Sequence, residues 1–228
     1  MSLPNFIHCA AGPRTPECRR ASVRGAASHA LSALWLSMWL PLWLTLSLLL
    51  SGIGAAAAQA PALDVPFVPT PQSVVDRMLE LADVKKGEKL YDLGSGDGRI
   101  VITAAKQYGA RGVGIDLDPV RIREARDNAH KAGVDKQVTF IAGNLFKANL
   151  SDADVVTLYL LTSVNRDLRP QLWKQLKVGT RVVSHAFDMG SEWPPERTES
   201  VDGRTIYFWT VSEGNKRAAE SVATAHGK

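Results

Sequence analysis

The chain has 228 residues, a formal net charge of +4 and only two cysteines, a length that suits one ordinary domain with an appendage. Residues 1–60 hold four arginines against Glu17, so most of the net charge sits there; the nearly neutral remainder gives no support to phosphate-backbone binding. Both cysteines, Cys9 and Cys18, also lie in that stretch, which excludes an internal disulfide, a thiolate metal site and a cysteine nucleophile from the rest of the chain.

In chain order, residues 1–60 come first as a leader. From Gly25 to Leu63 no residue carries a formal charge when His29 is neutral, and Leu34 to Leu50 is dense in Leu and Trp. Arginines precede this run and Ala55-Ala56-Ala57-Ala58-Gln59-Ala60 follows it, the order of a secretory signal peptide. Cleavage after Ala58 is preferred, because Pro61 makes a poor scissile bond. The run also approaches the roughly 20 residues that cross a bilayer, so an uncleaved anchor over residues 31–55 is the alternative. A start at Met38 would remove much of the segment. Arginines ahead of the run direct the domain outward, and Arg19-Arg20 could serve as a twin-arginine export pair. The expectation is a membrane-anchored or exported domain.

Residues 61–71 form a proline-punctuated linker. Thr70-Pro71 has the form of an N-cap followed by proline at the first helical position. Val74, Val75, Met78 and Leu79 recur at helical spacing, predicting a helix to about Ala82. Strand one follows over Lys89–Leu93. A helix to about Tyr108, a strand over Gly112–Asp116 and an amphipathic helix from Pro119 to about Lys131 come next. Val138–Ala142 and Val155–Leu161 are further strands. Asn165–Leu176 reads as helical with Pro170 at its start or interrupting it. Arg181–Ala186 and Thr205–Val211 are the last β-rich runs, Trp193-Pro194-Pro195 lies in a loop, and residues 212–228 are a tail, frayed or helical. The globular domain spans 72–211. Strands alternating with helices predict an α/β, doubly wound, mostly parallel sheet.

The densest signal is Tyr91-Asp92-Leu93-Gly94-Ser95-Gly96-Asp97-Gly98-Arg99-Ile100. An apolar strand carrying an acid meets three glycines at alternate positions and then a helix. Such a turn lets backbone N–H groups approach a ligand closely. The dinucleotide fingerprint G-x-G-x-x-G would place its third glycine where Arg99 stands. Asp92 would repel a pyrophosphate but suits a cation. Both facts point to S-adenosylmethionine (SAM), which carries an ammonium and a sulfonium and no phosphate.

Asp116 ends strand two, where an acid accepts hydrogen bonds from ribose hydroxyls in doubly wound folds. Alone, such an acid is an ordinary turn residue; beside the glycine turn it becomes a ribose ligand. Asn144 is either an adenine contact or a local cap. Tyr159, Thr162, Ser163 and Asn165 are the polar candidates of a substrate-facing loop after strand four, with Tyr159 equally suited to packing in the sheet. His185 is a candidate base or a structural histidine. No H-x-E, C-x-x-C or paired-carboxylate pattern occurs, so no metal is expected.

These residues resemble the class I SAM-dependent methyltransferases, whose Rossmann-like sheet has seven strands with the last reversed. Pro69-Thr70-Pro71, Asp92 to Val101, Asn144-Leu145-Phe146-Lys147 and Thr180-Arg181-Val182-Val183-Ser184 are similar to a small lysine methyltransferase family. Its mitochondrial members modify the adenine nucleotide translocase and the ATP synthase c subunit, and also carry an apolar N-terminal segment. Asn144 stands where the family's acid is usual, and the strand-four loop differs. The resemblance implies cofactor contacts from Thr70, Asp92, Gly94, Ser95, Gly96, Gly98, Asp116, Leu117, Asn144, Leu145 and Leu160. It also implies protein-lysine N-methylation, with a membrane protein among the acceptors. A small-molecule or lipid methyltransferase, or a non-catalytic SAM-binding module, are the alternatives. Strand four ends Tyr159-Leu160-Leu161-Thr162, without the D-P-P-Y or N-P-P-Y of adenine and glutamine amide methylases, and with the near-neutral domain this leads to no expected nucleic-acid partner. An active enzyme would have to meet SAM on the cytosolic face, which conflicts with an exported leader.

Overall fold

The computed structural model describes residues 68–225; the leader, most of the linker and the last three residues lie outside the described residues. The leader readings, including the apolar run over 31–55, fall there. Among the described residues no helix is long and apolar enough to cross a membrane.

Helix α1 (Gln72–Leu81) leads to β1 (Lys89–Leu93), α2 (Arg99–Tyr108), β2 (Arg111–Asp116), α3 (Pro119–Ala132) and β3 (Val138–Ala142). A single 3-10 turn (Leu145–Lys147) precedes β4 (Val155–Leu158), α4 (Thr162–Gln175) and β5 (Arg181–His185). The hairpin β6 (Arg197–Val201) and β7 (Arg204–Thr210) and helix α5 (Glu213–Ala225) complete the fold. The seven strands form one sheet in the order β3-β2-β1-β4-β5-β7-β6. Strands β1 to β5 run parallel and β7 pairs antiparallel with both β5 and β6.

Alternation along β1 shows how the sheet divides its two cores. Leu90 joins the cluster under α1, α2 and α3, whereas Tyr91 and Leu93 join the cluster under α4 and α5. Asp92 therefore shares a face with Leu90, at the carboxyl end of the strand. Helix α5 belongs to the packed domain: Ala218 and Ala219 lie against the second cluster, and Lys216 Nζ donates to the Lys174 and Leu176 carbonyls at the end of α4.

Four local expectations change. The helix begins at Gln72 with Pro71 at its cap, and the Pro71 carbonyl accepts from the Val74 and Val75 amides; Thr70 does not cap it. Strand β4 stops at Leu158 and α4 already begins at Thr162, so the loop after β4 is only Tyr159-Leu160-Leu161. Pro170 sits inside α4. Strand β6 was not expected, because Arg-Thr-Glu-Ser-Val has no apolar face: it is an edge strand with no buried residue. The Asp202-Gly203 turn joins it to β7, both residues with positive φ (49° and 73°). That is the backbone a two-residue hairpin demands, and the D-G pair was its signal in the sequence.

Candidate active site

In an open α/β sheet, ligands bind beyond the carboxyl ends of strands, where neighbouring crossovers leave in opposite directions. Here that point lies between β1 and β4. A cleft opens there, and Thr70, Asp92, Gly94, Ser95, Asp116, Leu117, Asn144, Leu145, Tyr159 and Leu160 all line it. Gly96 and Gly98 shape its rim without lining it.

The glycine turn has all three glycines in the left-handed region, at φ 82°, 51° and 80°. Side chains are excluded for a second reason at Gly98, where a Cβ would come within 2.6 Å of Phe140. The turn is anchored to β2, since the Gly94 and Ser95 amides both donate to the Ile115 carbonyl, at 2.8 and 3.1 Å.

Asp92 is buried at 2% exposure. Its register partner on β4 is Thr157, on the same face, and the Thr157 hydroxyl donates to Asp92 Oδ1 at 2.8 Å. Burial pushes the Asp92 carboxyl up to about 7, against the Thr157 hydrogen bond, with Asp116 and Asp97 adding to the rise. A cation in the cleft would reverse that shift.

Asp116 holds its carboxylate across the turn. Oδ2 accepts from the Gly96 amide at 2.8 Å and Oδ1 from the Asp118 amide at 2.9 Å. Each oxygen keeps accepting capacity for a vicinal diol. Asn144 takes the local role: its Oδ1 accepts from the Phe146 amide at 2.9 Å and opens the 3-10 turn.

Two residues unassigned in the sequence reading prove structural to the site. Asp97 and Arg99 form a two-point ion pair, with Nε to Oδ1 at 3.0 Å and Nη2 to Oδ2 at 2.6 Å. Arg99 Nη1 then donates to the Thr70 carbonyl at 2.8 Å and ties the entering segment to the turn. The Asp-Gly-Arg triplet was visible in sequence, but its partner carbonyl 29 residues upstream was not.

The four other candidates for chemistry lie outside the cleft lining, Ser163 in the first turn of α4. Thr162 starts α4 outside the cleft lining. Asn165 is wholly buried, and its Nδ2 donates to the carbonyls of Phe187 and Asp188 at 3.1 and 3.2 Å and lies 3.3 Å from Ser184 Oγ. It holds the segment after β5 and does not line the cleft. His185 is 1% exposed, and burial pulls its imidazole down to about 4, aided by the charge of Arg204. Its burial and lowered basicity fit the structural alternative.

The cleft fits SAM on its own chemistry. Asp92, Asp97, Asp116 and Asp118 line it, and Arg99 is occupied by Asp97. Leu117 and Phe146 line it while 37% and 42% exposed, leaving apolar surface for a flat base. Ser95 Oγ is buried without a hydrogen-bond partner among the described residues.

Residues 92–197 match the family model described as the ANTKMT methyltransferase domain. The chain is 48% identical to a protein-lysine N-methyltransferase of Saccharolobus islandicus, over 65% of this chain and 95% of that protein. It is 40% identical to the adenine nucleotide translocase lysine N-methyltransferase of Mus musculus, over 58% of this chain and 57% of that protein. Among solved structures, an RNA methyltransferase from Salinibacter ruber in complex with S-adenosyl-L-homocysteine is similar, with 62% identity and a TM-score of 0.63. That match covers 64% of this chain and 95% of the other.

Proposed function

The chain belongs to the class I SAM-dependent methyltransferases that include the protein-lysine and adenine nucleotide translocase lysine N-methyltransferases, and we propose that it methylates the side-chain amine of a protein lysine. The observation that carries this reading is the 48% identity to a protein-lysine N-methyltransferase across nearly all of that protein's length.

When bound, SAM supplies an activated methyl group whose transfer to a neutral amine leaves S-adenosylhomocysteine. The chain's own contribution is placement and environment. Asp92 would present a buried carboxylate to the cofactor's cation, Asp116 would hold its diol, and Leu117 and Phe146 would receive its flat base. Well-oriented reactants supply much of the rate in such a displacement. A free lysine has a pKa of about 10.4 and must lose its proton before it attacks. Desolvation in the half-apolar cleft favours the neutral amine.

The Salinibacter neighbour's designation favours a second reading, an RNA acceptor. The nearly neutral charge beyond residue 60 weighs against it. The two separate in one experiment: full-length protein is incubated with methyl-labelled SAM and cell extract, then the extract is fractionated into protein, RNA and lipid. Label recovered as methyl-lysine after protein hydrolysis supports the proposal. Label confined to RNA or lipid overturns it.

We also propose that residues 31–55 associate with a membrane and leave the domain on the face where SAM is made, with membrane proteins among its acceptors. A reporter fused after residue 228 checks this; activity only in an exported compartment would refute the cytosolic side.

A further inference from the structure

We propose that the Tyr159 ring, backed by His185 and flanked by Phe187, forms an alkylammonium-binding wall in the acceptor part of the cleft. The inference rests on the lysine reading for its natural ligand, but its chemistry is testable without it. Tyr159 is the first residue beyond β4 and lines the same cleft as Asp92 and Thr70. Its ring centroid is 3.9 Å from that of His185, the planes inclined by 33°, and 6.1 Å from that of Phe187, inclined by 25°.

The array is built by register and by an unusual backbone. Thr157 pairs with Val183 and Leu158 with Ser184, so the next step along both parallel strands brings residues 159 and 185 side by side. Beyond β5, Ala186 is held at φ 63°, in the left-handed region that a non-glycine residue seldom occupies. Its amide donates to the Thr205 carbonyl at 2.7 Å. Buried Asn165 then grips the carbonyls of Phe187 and Asp188. Strain persists in a fold only where surrounding contacts over-determine it. Here the outcome of those contacts is a Phe187 ring set beside Tyr159.

A protonated imidazole behind Tyr159 would repel a cation. Burial keeps His185 neutral at physiological pH, and the Thr70 hydroxyl, 3.2 Å from Nδ1, holds the ring in place. The wall thus backs its π faces with an uncharged imidazole, with Arg204 the cation whose charge reaches that ring; ring faces attract ammonium groups through their quadrupole. The ligand class is a side-chain alkylammonium: the charged lysine as it docks, and the methylammonium that forms as the neutral amine takes the methyl group. An RNA base would present no such charge.

The test uses full-length protein saturated with S-adenosylhomocysteine and tetramethylammonium chloride as the probe, followed by calorimetry or saturation-transfer NMR. Neutral tert-butanol is the shape control. The parent and Tyr159→Phe should bind tetramethylammonium within about threefold of each other, and Tyr159→Leu about tenfold more weakly. S-adenosylhomocysteine affinity should stay within about threefold in Phe187→Leu, which lies outside the cleft lining, and thermal melting reports that each variant is folded; Phe187→Leu serves if Tyr159→Leu does not fold. With a lysine peptide, KM should rise about tenfold in Tyr159→Leu. Equal binding of tert-butanol, unchanged binding in both leucine variants, or a Tyr159→Phe protein as weak as Tyr159→Leu would overturn the proposal. Tetramethylammonium binding as expected, with no methyl-lysine formed from any peptide, would uphold the wall and reject the lysine reading.

Discussion

The hydroxyl of Thr70 lies 3.2 Å from Nδ1 of His185, joining the segment that enters the domain to the end of β5, 115 residues later. Arg99 holds the same Thr70 by its carbonyl and grips Asp97 with the rest of its guanidinium. The glycine turn, the entry segment and the β5 end are therefore tied together by hydrogen bonds.

Thr70→Val keeps the side chain's shape and removes this hydroxyl. It leaves a buried imidazole nitrogen without its partner, which costs about 1–3 kcal/mol. Urea titration should show a lower midpoint with an unchanged slope. An unaltered midpoint would mean that the contact contributes nothing to stability.

Asp92 should trade stability for binding. Its folded pKa, about 7, exceeds its ordinary 3.8, so the folded state holds more protons than the unfolded between those values. Stability from this group therefore falls as pH rises from about 4 to about 7. Asp92→Asn should be more stable than the parent at pH 8 and should lose that advantage toward pH 4. His185 acts oppositely: kept neutral down to about 4 against an ordinary 6.5, it costs stability as pH falls through that window. With Asp92 neutralised, the acid side of the thermal-melting profile should be steeper than in the parent. SAM should bind the parent with proton release near pH 6 to 7, read by calorimetry in two buffers of different ionisation enthalpy. The variant should release none and bind at least about tenfold more weakly.

Asp116→Ala removes the acceptor of the Gly96 and Asp118 amides together with the diol-binding oxygens. Losing hydrogen bonds to a charged group typically costs about 1.5–3 kcal/mol, so SAM affinity should fall roughly 10- to 100-fold. Equilibrium binding checks this, and an unchanged affinity would remove Asp116 from the site.

Asn165→Ala should release the Phe187 and Asp188 carbonyls and relax the strained Ala186. The expected loss is about 1–3 kcal/mol of stability. A raised KM for the lysine acceptor should accompany it, with SAM affinity little changed. Proteolysis near residue 187 should accelerate; a cleavage pattern equal to the parent's would show that other contacts hold the segment.

Much of the fold was legible in the order of residues. Leu90 to Leu93, Val113 to Ile115 and Val155 to Leu158 announce buried parallel strands because both their faces are apolar. The turn of Gly94, Gly96 and Gly98 announces itself because only glycine takes its backbone angles so readily. Edge strand β6 was hidden because exposure on both faces leaves no periodic signal. The roles of Thr70 and Asn165 were open for a related reason: short polar side chains serve equally as caps, loop ligands or buried ties, and their neighbours in sequence do not distinguish these.

The sequence by itself determined the parallel strands of the sheet, the glycine turn, the acids Asp92 and Asp116 and the near neutrality of the domain, because these follow from local periodicity, backbone sterics and counted charge. Only the tertiary structure decided that Arg99 binds Thr70, that Asn165 is a buried tie and that His185 stands behind Tyr159. Those relationships depend on which strands become neighbours and in what register. That choice is set by burying two hydrophobic faces at once, across separations that no local pattern encodes.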